Sequence, residues 1–389
     1  MSITTPDGFV ASGLAAGIKS SGVLDLALLA TEDGRAVPTA ATFTQNLACA
    51  APVQISRAHM AANGGRAAGV VISSGNANAA TGDQGREDAA AMCRQTAEGL
   101  GVAAEEVLVC STGLIGIPLP MGPIEAGIPR LVAARAGGPE AGADAAQGIL
   151  TTDSGRKQVL IVNPGFTVAG MAKGAGMLAP DMATMLAFLT TDAAVEPGPL
   201  ADLLRTAVAS SFNSMSVDGC TSTNDTVILM ASGKAGPCDL DVVAAAVTEA
   251  CSDLARQMAA DAEGSSRIFQ VKVTGGYSDG EAHAGARKVA ESMLVKCSIN
   301  GTDPYWGRVA SELGSAGVEF DMDRLTIAYG GTTVCRGGVE IPHDRAAVAE
   351  HMAGSLVSIE CDLGLADGRG VVMGVELGHG YIDENRTTS

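Results

Sequence analysis

A chain of 389 residues with 25 Lys and Arg against 43 Asp and Glu has a formal net charge of −18, and it holds 50 glycines but only 3% aromatic residues. Its length suffices for two to three domain-sized units, or for one large fold with a substantial core. An acidic balance without clustered cations and stacking aromatics excludes a nucleic-acid surface; a 47% hydrophobic composition excludes a disordered chain.

Apolar runs predict strands at 68–73, 106–111, 157–163, 166–172, 225–231, 267–274, 295–300, 324–335, 357–363 and 370–377. Amphipathic spacing predicts helices at 84–100, 122–136, 199–211, 239–260, 282–293, 304–315 and 343–354. Asn163-Pro164-Gly165 is a turn between two apolar runs, so 157–172 reads as a hairpin, and 357–377 as a second one. Hairpins among helices favour a mixed, layered α/β sandwich over a doubly wound parallel sheet. The small, polar stretch 136–145 (AGGPEAGADA) reads as a linker.

No apolar run reaches the ~18–20 residues of a membrane helix, and the first ten residues, MSITTPDGFV, lack the basic region of a secretory signal. Nine dispersed cysteines without a CxxC or a Cys/His cluster signal neither a zinc site nor a disulfide framework. Free, buried thiols and a cytoplasmic location are expected.

The five histidines stand apart from any serine or cysteine motif, and no GxSxG elbow is present, so a Ser-His-Asp triad has no anchor. Residues 174–179 (GAGMLA) match a dinucleotide-binding pattern, but Pro180 would fall in the first turns of the helix this motif needs. The run from Met171 to Leu186 (MAKGAGMLAPDMATML) leads a Gly/Pro loop with one lysine, Lys173, into Thr184 and an apolar strand. One reading is a structural turn. The other is a self-cleaving junction, in which the threonine hydroxyl attacks the preceding carbonyl and water then frees a threonine whose α-amine, with a pKa near ~7.7–8.0, is its own base. Cys110-Ser111-Thr112-Gly113 reads as a strand ending in an exposed loop, either a plain turn or a set of amides facing an oxyanion. Ser74-Gly75-Asn76-Ala77-Asn78 is a further polar loop after a strand, open to both readings.

Taken together, SGNANAATG at 74–82, STGLIGIPLPM at 111–121, TTD at 151–153, AKGAGMLAPDMATML at 172–186, SVDGCTSTNDT at 216–226, DAEGSS at 261–266 and DPYWGR at 303–308 resemble the ornithine acetyltransferase / glutamate N-acetyltransferase family nearly end to end. The resemblance implies a four-layer αββα sandwich of the amino-terminal-nucleophile type with a second, smaller α/β lobe. It implies autocleavage between Ala183 and Thr184, giving an α chain, 1–183, and a β chain, 184–389, with two of each assembled into a heterotetramer. Thr184 would be the nucleophile, Thr112 and Gly113 the oxyanion hole, and Thr151, Thr152, Lys173, Thr184, Glu263, Asn385 and Thr388 or Ser389 the substrate contacts. The substrates would be N-acetylornithine and glutamate, with acetyl-CoA as a further donor that no residue decides; no metal and no organic cofactor are implied. Cys220 stands where the family pattern has Asp, and Tyr305 where it has Asn. The tail GHGYIDENRTTS follows the pattern only loosely, which leaves a paralogue acting on another amino acid as one alternative. A related aminopeptidase, with water as acceptor, is the second, and an uncleaved binding homologue the third.

Overall fold

Continuous burial along a strand means that its sheet is covered on both faces, and two strands, 26–31 and 186–193, are buried at every position. The structure is a computed structural model describing residues 1–177 and 185–386. Its described residues fall into two compact units, one within Met1–Asn213 and Thr221–Met258, the other within Ser214–Cys220 and 259–386.

The first unit contains β1 (Phe9–Leu14), β2 (Leu26–Thr31), β3 (Val37–Phe43), β4 (Arg66–Ala67), β5 (Gly69–Asn76), β6 (Val107–Leu114), β7 (Lys157–Asn163), β8 (Phe166–Lys173) and β9 (Leu186–Ala194). β10 (Met215–Ser216) belongs to the second unit, and β11 (Thr226–Pro237) returns to the first. Its helices are α1 (Ala51–Ala62), α2 (Gly82–Leu100), α3 (Met121–Ala133), α4 (Pro139–Gly148), α5 (Pro197–Ser210) and most of α6 (Leu240–Ala260). One sheet has the order β1-β2-β5-β6, the other β4-β3-β11-β9-β8-β7. Alternate residues of the two sheets meet in a common core: Phe9, Leu29, Ile72 and Leu108 from one, Met171, Phe188, Ile228 and Met230 from the other. The opposite face of the first sheet, with Leu28 and Val71, is covered by α2 through Met92 and Cys93 and by α3 through Ile124 and Ile128. Beyond the second sheet, α6 closes on β8 so tightly that a Cβ at Gly170 would lie 3.0 Å from Leu254. The layers are therefore helix, sheet, sheet, helix: the αββα sandwich. Each fully buried aliphatic side chain stabilises it by about 1.5–3 kcal/mol.

The second unit has one sheet, built from β10, β12 (Ile268–Gly276), β13 (Thr326–Tyr329), β14 (Thr332–Arg336), β15 (Val339–Glu340), β16 (Leu356–Asp362) and β17 (Gly368–Val375) in the order β10-β17-β12-β16-β13-β14-β15. Its helices are α7 (Asp279–Glu291), α8 (Met293–Asn300), α9 (Trp306–Gly314), α10 (Arg345–Met352) and α11 (His379–Glu384). β12 alternates, with Phe269, Val271 and Val273 facing a core shared with Val289, Ile299 and Leu313. It is the smaller α/β unit.

Several expectations are corrected. Residues 295–300 lie in α8, because the Ser292 hydroxyl accepts the Val295 amide and caps a helix there. The stretch 324–335 is broken at Gly330-Gly331, both at positive φ, into β13 and β14. β16 and β17 are not a hairpin: β12 lies between them, parallel to one and antiparallel to the other. The presumed linker is largely α4, with Pro139 in its first turn. The 157–172 hairpin is present in the expected antiparallel register. No cysteine among the described residues is bridged, yet Cys220 and Cys297 are exposed rather than buried.

Candidate active site

β5 and β6 run parallel and end together, pairing Ser73 with Ser111, Ser74 with Thr112 and Gly75 with Gly113. The 110–113 segment is thus not an exposed loop; Ser111 and Thr112 are buried strand residues, and β6 continues to Leu114. The strand ends approach so closely that a Cβ on Gly113, at φ +131°, would lie 2.3 Å from the Gly75 carbonyl carbon. Only glycine fits. Side chains brace this junction: Ser73 and Ser111 hydroxyls lie 2.9 Å apart, and the Asn224 amide donates to the carbonyls of Ala77 (2.6 Å) and Ser111 (2.9 Å). The 74–82 loop is held by its asparagines, Asn76 donating to Pro118 O (3.0 Å) and Asn78 to Gly85 O (2.8 Å). Its role is to fix the loop's shape.

Lys173 closes β8 and is 2% exposed. Its ammonium lies 4.0 Å from Asp153, which also pairs with Lys157 at 2.6 Å and accepts the amides of Gly174 (2.7 Å) and Thr151 (3.0 Å). Burial alone would raise the Asp153 pKa; Lys173, Lys157 and the Gly174 amide outweigh it and hold the carboxyl down at about 2. Asp153 therefore fixes two buried lysines and the start of the loop that leads towards Thr184. Within that loop Met177 takes φ +52°, a conformation that costs a non-glycine residue about 1–3 kcal/mol. Ala183 and Thr184, like the rest of 178–184, lie outside the described residues, as do Thr388 and Ser389. On the far side of that gap, the Met185 amide donates to Asp225 at 2.8 Å. Burial pushes the Asp225 carboxyl well above the usual range, against the pull of the Met185 amide.

A cavity of about 290 Å³ opens beside these strand ends, lined by Lys19, Ser20, Ser21, Gly75, Gly113, Thr151 and Thr152 among others. It thus gathers Gly113, Thr151 and Thr152 from the expected set. Its volume is at the small end of the range of ligand pockets. Glu263 and Asn385 belong to the second unit, where the Asn385 amide donates to the Glu263 carboxylate at 3.0 Å. That contact depends on Gly264, at φ +62°, packing its backbone on Gly380 of α11, and on the Gly264 amide donating to Glu384 (3.0 Å). Among the described residues no cluster of His, Cys, Asp and Glu could hold a metal, and no helix is long and apolar enough to cross a membrane.

Sequence reasoning passed over Lys19, Asp25 and Asp153. Asp153 was within reach, as the third residue of the TTD motif; Lys19 and Asp25 carry no local pattern.

The αββα layering, with paired glycine strand ends beside a hydroxyl- and lysine-lined cavity, puts this chain among the sandwich proteins that its sequence resembles. The chain belongs to the ArgJ family, whose model matches residues 10–387. It is 46% identical to the arginine biosynthesis bifunctional protein ArgJ of Mycolicibacterium paratuberculosis, covering 100% of this chain and 96% of the relative. It is 43% identical to the protein of the same name from Thermobifida fusca, over 100% of both. A solved structure of an ornithine acetyltransferase complexed with ornithine, from Mycobacterium tuberculosis, is 44% identical, covers 46% of this chain and 94% of that one, and superposes with a TM-score of 0.44.

Proposed function

We propose that this chain is a glutamate N-acetyltransferase of arginine biosynthesis, moving the acetyl group of N2-acetylornithine to glutamate through an acetyl-Thr184 intermediate. The observation that carries the reading is a family match over nearly the whole chain, supported by the run from Lys173 to Thr184 in the sequence. The relatives' names, arginine biosynthesis bifunctional proteins, supply the pathway.

The chain first cuts itself. The Thr184 hydroxyl attacks the Ala183 carbonyl, the peptide nitrogen leaves as an amine, and water hydrolyses the ester, giving chains of 183 and 206 residues. In the mature enzyme the Thr184 hydroxyl attacks the acetyl carbonyl of N-acetylornithine while the Thr184 amine takes its proton. The oxyanion is held at Thr112 and Gly113, where donors placed for the charged state lower the barrier. Collapse expels the ornithine α-amine, which leaves with the proton from the Thr184 amine. The glutamate amine then attacks the acetyl ester by the reverse sequence, regenerating Thr184. Lys173 binds the α-carboxylate common to both substrates; Thr151, Thr152, Glu263, Asn385 and a terminal hydroxyl residue, Thr388 or Ser389, complete the contacts. Two α and two β chains form the working assembly, in the cytoplasm.

A denaturing gel with intact masses and amino-terminal sequencing tests the first half. A single 38.9 kDa species with no terminus at Thr184 would defeat it. Ornithine release from N-acetylornithine, measured with and without glutamate, tests the second half. Release indifferent to glutamate identifies an aminopeptidase-type hydrolase instead.

A further inference from the structure

Lys19 is held by far more contacts than a surface lysine needs. Asp25, fully buried, accepts four successive amides, from Ala16 (2.6 Å), Gly17 (3.1 Å), Ile18 (2.6 Å) and Lys19 (2.9 Å). Four bonds to one carboxylate lock the 16–19 turn in a single shape. The lysine stem then crosses the end of β5 at Gly75, φ +106°, where a Cβ would come within 2.8 Å of Lys19 Cγ. Its ammonium donates to the carbonyls of Leu150 (2.7 Å) and Leu24 (3.1 Å) and lines the cavity with Ser20, Ser21, Thr151 and Thr152.

Lys157 and Lys173 both lie against Asp153, but among the described residues no carboxylate is within ion-pairing distance of Lys19. The charged groups acting on it are Asp25, Lys173 and Asp153. Burial lowers its pKa, and Lys173 adds to the effect, against Asp25 and Asp153. A half-buried cation with two neutral acceptors, in a pocket of hydroxyls, is completed by an anionic oxygen.

We propose that Lys19 is a specificity-determining residue that binds the side-chain carboxylate of the acetyl acceptor, the group present in glutamate and absent from ornithine. This rests on the reaction proposed above. Both substrates carry an α-carboxylate, for which Lys173 suffices; only the acceptor carries a second, and Lys19 is a cation that lines the cavity itself. The site thereby tells acceptor from donor by a charge that the donor lacks.

The test uses Lys19→Met and Lys19→Arg in the full chain, with ping-pong kinetics that return separate KM values for the two substrates and with glutamine as an uncharged acceptor. Lys19→Met should raise the KM for glutamate ~10-fold or more, the loss expected for one charge-assisted bond. The KM for N-acetylornithine should stay within about 2–3-fold, the ordinary spread for a substitution away from its contacts. The preference of the parent chain for glutamate over glutamine should disappear, and Lys19→Arg should restore part of it. An unchanged glutamate KM, an equal rise in both KM values, or no preference for glutamate in the parent chain would overturn the assignment. Should the parent chain transfer no acetyl group from N-acetylornithine to glutamate, the reaction itself falls, and this inference with it. Normal transfer by the parent with an indifferent Lys19→Met removes the inference alone.

Discussion

Replacing Gly113 by alanine adds one methyl group at the place where two backbones touch. The new Cβ would meet three backbone atoms, the Gly75 carbonyl carbon at 2.3 Å, the Asn76 nitrogen at 2.6 Å and the Gly75 oxygen at 2.6 Å. None of these is the movable end of a side chain, so β5 and β6 must part at their ends. The conformation at φ +131° costs a non-glycine residue about 1–3 kcal/mol, and forcing a methyl into a packed site costs about 1–3 kcal/mol more. The expected loss is about 2–6 kcal/mol, out of a total stability of about 5–15 kcal/mol for a typical protein. Gly116 is the control: at φ +80° an added Cβ meets nothing within 4 Å, so Gly116→Ala should show the conformational cost alone. Urea midpoints and acetyl-transfer rates of the two variants are the assay. Gly113→Ala should unfold at clearly lower urea than Gly116→Ala, and on the oxyanion role proposed for Gly113 its kcat should fall ~10²-fold or more, the usual effect of taking one oxyanion donor out of place. Equal midpoints with a retained kcat would refute the claim that this glycine is required by close backbone approach at a catalytic strand end.

Thr184→Ala should remain a single chain of 389 residues on a denaturing gel and transfer no acetyl group, whereas the parent should yield 183- and 206-residue products. The Asp153 carboxyl, held at about 2, contributes stability that is fully present above the unfolded value of about 3.9 and lost as pH falls through about 2; acid unfolding followed between these values should be steep in the parent and flattened in Asp153→Asn. That variant also leaves Lys157 and Lys173 without their shared partner, so a loss of about 3–5 kcal/mol at pH 7 is expected by urea unfolding. For Asp225 the sign is opposite, because its folded carboxyl is raised: stability is greatest below the unfolded value near ~3.9 and falls as pH rises towards the folded one. Asp225→Asn should therefore be more stable than the parent at pH 7, and a lower melting temperature would contradict the burial argument. Gly264→Ala puts a Cβ 2.0 Å from the Gly380 carbonyl carbon, which should displace α11 from Glu263 and raise substrate KM while kcat changes less.

What could be read from the sequence divides according to how far the deciding contact lies along the chain. The β7–β8 hairpin is decided by three adjacent residues, Asn163-Pro164-Gly165, and was legible. The pairing of β16 and β17 is decided by β12, whose Ile268 registers with Leu356 some ninety residues on, and nothing in either strand announces that intrusion. In α8 the run LVKCSI has the apolar, β-branched look of a strand, and a single hydroxyl cap at Ser292 together with a buried Ile299 makes it a helix. The site follows the same rule. Thr112, Gly113, Lys173 and Thr184 stand in contiguous motifs, so resemblance reached them. Asp153 stands in a motif too, yet its task exists only once the β7–β8 hairpin brings the Lys157 and Lys173 ammonium groups to one carboxylate, and nothing in the motif itself announces that convergence. Lys19 lies further still from anything readable: its place in the cavity needs the buried Asp25 to gather four amides, Gly75 to leave room for its stem, and the carbonyl of Leu150, more than a hundred residues away, to accept a hydrogen bond from its ammonium. A residue positioned by three separated segments leaves no local signature, which is why a binding cation can sit in the open sequence of a recognisable family and become visible only through the fold.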